Sequence, residues 1–194
     1  MVLWTIQPEE VYKSLMKDGV FRTEENLSLI GDIPEFKMQY DWLVEKMKYI
    51  VGEPPVGVIY PIWAWHTWEG KRKRRDLRNS GYGNKGTRMV QMEIEIPDQD
   101  VLLTDFDLWV AILNGFNLNI ESEDDFERDY YCLQTAEKSE HYTEYMEEII
   151  KSWDKCVEPA VHNNMFMSEE KSIQATFWEL KKEHVKRVWR FVRR

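Results

Sequence analysis

The stretch that decides the fold is Met89-Val90-Gln91-Met92-Glu93-Ile94-Glu95-Ile96. Val90, Met92, Ile94 and Ile96 share one face of an extended chain, while Gln91, Glu93 and Glu95 take the other. Such alternation describes a half-buried strand of a sheet with two unlike faces. Pro97-Asp98 then turns the chain, and Val101-Leu102-Leu103 gives a second short strand. Thr104 followed by Asp107 resembles a capping box, with Asp in place of the usual Glu. It opens a short helix with Leu108, Trp109, Ile112 and Leu113 on its apolar face, ending near Gly115.

Toward the N-terminus, residues 2–6 read as a buried strand. Pro8 suits a first helical position, Glu9 and Glu10 favour the positive end of the helix dipole, and Gly19 stops the helix. A second helix is expected over residues 34–51, with Phe36, Tyr40, Leu43, Met47 and Ile50 at helical spacing and Gly52 at its end. Residues 56–65 read as extended, and Pro61 puts that strand at an edge or a bulge. Toward the C-terminus, residues 121–136 read as an acidic linker before a helix over residues 137–155. Residues 173–180 and 188–192 read as strands. The first of these is expected to pair with the strand at 2–6 or with the one at 89–96, since each needs neighbours for its backbone groups. Strands at both ends and helices between them imply one α+β domain over residues 1–194, with a mixed or antiparallel sheet.

Length and composition agree with that reading. A chain of 194 residues with 43% apolar and 31% charged residues is neither low-complexity nor disordered. No apolar run approaches the roughly 20 residues of a membrane span, so no membrane partner is expected. Cys132 and Cys156 lack metal-knuckle spacing and suit a reducing, cytoplasmic setting. The net charge of -9 opposes general affinity for nucleic acid, but it hides two basic islands. Residues 71–88 hold eight basic residues against one acid, and residues 181–194 hold seven against one. The first island also holds three glycines, so residues 71–87 are expected to form an exposed basic loop.

Motifs for common chemistries are absent. There is no phosphate-binding glycine loop, nucleophile elbow or zinc helix. Glu137 and His141 are four apart and could share a metal, but a solvated helix face accounts for them better, and no metal is expected. The stronger signal is aromatic: Tyr60, Trp63, Trp65 and Trp68 lie beside the basic loop. Indoles next to guanidinium groups suit stacking of a base and capture of its phosphate, with Arg72, Arg74, Arg75, Arg78 and Arg88 as the phosphate or nucleic-acid contacts. A tryptophan-rich core beneath a surface loop would leave the same pattern.

Four segments carry a resemblance: Leu3-Trp4-Thr5-Ile6-Gln7, Tyr60-Pro61-Ile62-Trp63-Ala64-Trp65, residues 94–107 and Gln174-Ala175-Thr176-Phe177-Trp178-Glu179. Together they are similar to domain-of-unknown-function family 3841, an uncharacterised bacterial and phage family, over nearly the whole chain. The resemblance implies a single domain and no particular activity. More distantly, the order of segments resembles ADP-ribosyltransferase-like folds. In their DNA-modifying branch a late strand reads alanine, glutamate, phenylalanine; here it reads Ala175-Thr176-Phe177, with Thr176 at the glutamate position.

That resemblance implies an NAD cofactor and a cation-like transition state, with Glu179 in another register as the catalytic carboxylate. It further implies Trp63 or Tyr60 stacked on nicotinamide and Gln7 holding the ribose; Trp65 and Gln174 are expected beside them as cofactor-binding residues. The expected function is therefore nucleotide binding with ADP-ribosyl transfer. The alternative is a non-enzymatic module for nucleic acid, a nucleotide signal or a protein partner. One form of that alternative is an acidic mimic of DNA, which needs the acids of residues 93–107 and 121–129 on one continuous face.

Overall fold

The computed structural model describes residues 1–23, 34–77, 85–136, 142–158 and 169–193. Within them a six-stranded sheet runs in the order β5-β6-β3-β1-β4-β8, and a small second sheet joins β2 to β7. The strands are β1 (Val2–Pro8), β2 (Val20–Arg22), β3 (Ile62–Thr67), β4 (Arg88–Glu95), β5 (Leu102–Asp105), β6 (Ile173–Phe177), β7 (Glu179–Lys181) and β8 (Val185–Val192). The helices are α1 (Glu9–Asp18), α2 (Lys37–Ile50), α3 (Phe106–Leu113), α4 (Glu123–Ala136) and α5 (Tyr142–Ser152). Each pairing within the sheets is antiparallel. The fold is α+β.

β1 lies inside the sheet because its alternate residues are wanted on both faces. Leu3 is opposite Ile94, and Trp4 is opposite Glu93 on one side and Trp65 on the other. On the Leu3 face α1 packs through Leu15, and Ile62, Val90, Met92, Ile94 and Phe177 join it in one apolar cluster. Gly19 ends α1 at φ +82°, a conformation open to glycine at little strain, and its N–H donates to the Leu15 carbonyl. The chain then passes directly into β2.

The Trp4 face is divided in two. Over β3, β5 and β6 lie α2, α3 and α5, whose Leu43, Met47, Trp109, Ile112 and Ile149 form the second apolar cluster with Trp153, in the tight turn that follows α5. Trp153 is fully buried, meets Trp42 edge-on at 5.8 Å, and donates from Nε1 to the Phe116 carbonyl at 3.0 Å. Gly52, at φ +110°, closes α2 and accepts a 2.8 Å bond from the indole of Trp178. Over β1, β4 and β8 no helix packs among the described residues. There the basic segment from Lys71 onward covers the tryptophans.

Several expectations change. β3 is central, between β6 and β1, and Pro61 sits just before it; the register does shift between Trp65 and Thr67. The strand expected over residues 173–180 breaks at Trp178, whose side chain turns into the helix-covered cluster. Its first half pairs with β3 and β5, and its second half with β2; neither pairs with β1 or β4. Residues 123–136 of the expected linker are helix α4, capped by the Ser122 hydroxyl, which accepts from Asp125 N–H at 3.1 Å. Of the helix expected over 137–155, residues 142–152 are α5 and 153–157 a tighter turn, while 137–141 lie outside the described residues. Asp105, not Thr104, caps α3: its Oδ1 accepts from the Asp107 and Leu108 amides at 3.0 and 3.2 Å.

Candidate binding surface

Because facing residues on antiparallel strands share a side, the register sets one row across the sheet: Thr104, Gln174, Trp65, Trp4, Glu93 and Arg187. The next row on this face contains Gln91 and Trp189. Residues 71–75 lie over these rows as a strap. The Arg72 guanidinium stands 5.6 Å from the Trp4 ring and donates to the Val2 carbonyl at 2.7 Å and to the His66 carbonyl. Arg74 lies 4.5 Å over Trp189. Arg75 lies 3.9 Å over Trp68 and 5.4 Å from Trp65, and these two indoles meet edge-on at 4.7 Å. Gln91, fully buried, receives Arg74 on Oε1 and donates from Nε2 to the Arg75 carbonyl, both at 3.4 Å.

The strap is exposed from Lys71 to Arg74, yet its arginines are seated. The reason is physical. A guanidinium is weakly hydrated and planar, so an indole face holds it better than water holds a free loop. Burial holds the His66 imidazole well down, to about 4, aided by the positive charge of Arg72. Two polar atoms of the Trp65 row, Thr104 Oγ1 and Gln174 Oε1, are buried without a hydrogen-bond partner, as is Trp4 Nε1.

The structure thus joins Trp65, Gln174, Arg72, Arg74 and Arg75. It separates the other expected site residues. Trp63 packs 5.2 Å from Trp109, with Tyr40 at 6.3 Å, and Tyr40 also meets Tyr60 at 5.9 Å. This is core, and burial raises the Tyr40 hydroxyl to about 12. Gln7 faces the α1 side, where its amide donates to Thr5 Oγ1 at 2.9 Å. Arg88 also faces α1 and pairs with Glu9 at 3.8 Å. Arg78, Glu137 and His141 lie outside the described residues.

Glu179 belongs to the small sheet. Arg22 binds its Oε2 at 2.8 Å and Lys181 its Oε1 at 3.2 Å. Burial opposes ionisation, but these donors outweigh it and hold the carboxyl below the usual range. A base or nucleophile tied to two cations is a weak one. The acids of residues 93–107 are partly neutralised within the chain. Glu93 pairs with Arg187, Glu95 with Lys186 and Asp98 with the N-terminal amine, and Asp105 is buried. Sequence reasoning missed Trp4, Gln91 and Trp189. The alternation Arg187, Trp189 on an extended segment was their only signal, and it gains meaning only once β8 is seen to pair with β4.

The chain belongs to the family described as Domain of unknown function (DUF3841), which matches residues 2–186. No curated protein and no solved structure matches it. Among the described residues no helix is long and apolar enough to cross a membrane.

Proposed function

We propose that the protein is a binding module for a short single-stranded nucleic-acid segment, held on the strap and the tryptophans of β1, β3 and β8. The observation that carries this reading is the layering of Arg72, Arg74 and Arg75 on four indoles. A guanidinium with one face on an indole offers its other face to a base, and in Arg72 and Arg74 the N–H groups not bonded to Val2, His66 or Gln91 are left to meet phosphate. Neighbouring strands lie about 4.8 Å apart, so β3 to β8 spans about 14 Å, room for two or three stacked nucleotides. Lys71 and Lys73 add exposed charge at the rim. The overall charge of -9 works against an extended duplex and confines affinity to this patch.

NAD cleavage would need a carboxylate beside the stacked ring; Glu93, opposite Trp4, is paired with Arg187 at 3.7 Å. Glu179 follows Gln174 by up to about 16 Å of extended chain and is committed to Arg22 and Lys181. The binding reading is therefore the better supported of the two.

The test is fluorescence anisotropy of a labelled single-stranded oligonucleotide of about eight residues at several salt concentrations. The expected result is saturable binding whose log-log salt slope falls by about one in Arg74→Ala and by about two in the Arg74→Ala/Arg75→Ala double variant. Binding that is insensitive to salt, or unchanged in the double variant, overturns the proposal. In a parallel arm with NAD, nicotinamide release that is lost in Glu179→Ala would establish the transferase reading instead.

A further inference from the structure

Beside the strap stands a carboxylate and a guanidinium that are paired but not hydrogen-bonded. Glu93 lies opposite Trp4 on β1 and opposite Arg187 on β8, so all three share the face that carries Trp189. The Glu93 and Arg187 side chains are 20% and 71% exposed, and they approach only to 3.7 Å, from Oε1 to Nε. That distance is an ion pair and too long for a hydrogen bond. Among the described residues neither side chain has another partner. Their neighbours are engaged more closely. Glu95 is held by Lys186 at 3.2 Å, and the buried Gln91 meets Arg74. Arg187 is two residues from Trp189, about 7 Å along the strand. Two carboxylate acceptors and a fork of donors thus stand side by side next to the Arg72–Trp4 and Arg74–Trp189 layers.

A base stacked on either layer brings its edge toward this pair, and a single-stranded base has its Watson–Crick and Hoogsteen edges free to be read. In order around its ring, guanine offers N7 and O6 as acceptors, then N1–H and the N2 amino group as donors. Cytosine offers one amino donor, and adenine one amino group between two ring acceptors. Thymine and uracil offer one N–H between two carbonyls, which a carboxylate repels. Guanine alone matches two adjacent acceptors beside two adjacent donors. Building on the single-stranded nucleic-acid reading of the strap, on which this assignment rests, we propose that Glu93 and Arg187 make the surface selective for guanine. Glu93 accepts from N1–H and the N2 amino group, and Arg187 donates to O6 and N7.

The test is fluorescence anisotropy of the full chain with a labelled deoxythymidine octamer carrying one central guanine. It is compared with octamers carrying thymine, adenine, cytosine, inosine or 7-deazaguanine at that place. Guanine should bind about tenfold tighter than thymine. Inosine lacks the N2 amino group and 7-deazaguanine lacks the N7 acceptor, and each should weaken binding about threefold or more. Arg187→Lys keeps the charge but should erase the difference between guanine and 7-deazaguanine. Glu93→Gln should cancel the guanine preference while the all-thymine octamer binds equally or tighter, since a negative charge beside the phosphates is gone. Loss of a merely structural contact would weaken both octamers alike. Thymine, adenine or cytosine bound as tightly as guanine overturns the base selectivity and leaves the binding surface standing. No binding of any octamer overturns both. Inosine bound as tightly as guanine, a comparison that needs no variant, or a guanine preference that survives in Glu93→Gln also overturns the proposal.

Discussion

Two residues show how burial sets the worth of a charge. Asp105 is 1% exposed, caps α3 through Oδ1, and reaches Lys171 only at 3.8 Å. Burial raises its pKa above the ordinary aspartate value, against the amides of α3 and the charge of Lys171. The side chain thus acts chiefly as a hydrogen-bond acceptor. Asp105→Ala should cost about 1–2 kcal/mol, while Asp105→Asn, which keeps the acceptor, should cost clearly less. Urea unfolding compares the two; an equal loss would mean that the charge, not the cap, matters. His66 illustrates the opposite sign. Burial and Arg72 lower its pKa to about 4, while an unfolded histidine titrates near 6.5. Between those values the unfolded chain binds the extra proton, so stability falls as pH drops from 6.5 toward 4. Thermal midpoints across that window should fall more steeply in the wild type than in His66→Gln. Parallel profiles would remove His66 from the account.

Elements were legible where local pattern and final environment agree. Residues 89–96 alternate, and β4 buries the Val90, Met92 and Ile94 face against α1. Glu9 and Glu10 in the first turn and the Gly19 stop were legible because helix-end chemistry is local, while Pro8, expected at the first helical position, instead ends β1 one residue earlier as the N-cap. The acidic run at 121–136 misled because its charge is solvated while Phe126 packs on Phe116 at 5.1 Å and Asp129 turns inward. A single polar surface hid a helix with one useful face. The strap was legible as a loop but not as a cover, since its partners Trp4 and Trp189 are remote in sequence. Gln91 is the hinge of that cover. Gln91→Leu keeps the buried volume and removes both bonds to the strap. Its global stability should change little, within about 1 kcal/mol, because the bonds are long. Trypsin should nonetheless cut residues 71–75 faster than in the wild type, since proteolysis samples local opening. Unchanged cutting would show that the tryptophans alone seat the strap.

At the scale of the whole molecule, strand order was the least legible feature. It depends on pairings between distant segments, and each short apolar strand fits several neighbours equally well by pattern. The observed order makes β8 the cover of the β4 edge. Seven register pairs join them, from Arg88 opposite Val192 to Ile94 opposite Val185. β8 also carries the cations that balance the sheet: Lys186 on Glu95, Arg187 on Glu93 and Arg190 on Glu9. A chain cut after Lys186 would lose most of this strand, the Val188 contact with the α1-side cluster and the Trp189 seat of Arg74. It would also lose four arginines, taking the net charge from -9 to -13. At about 1 kcal/mol for each lost ladder bond, the sum is comparable with the entire stability of a typical domain. The bared edge of β4 would moreover invite pairing with another copy. The cut chain should therefore elute as aggregate in size-exclusion chromatography and lack a cooperative thermal transition. A monomer that unfolds at the wild-type midpoint would mean that five strands suffice, and that β8 serves the binding surface rather than the fold.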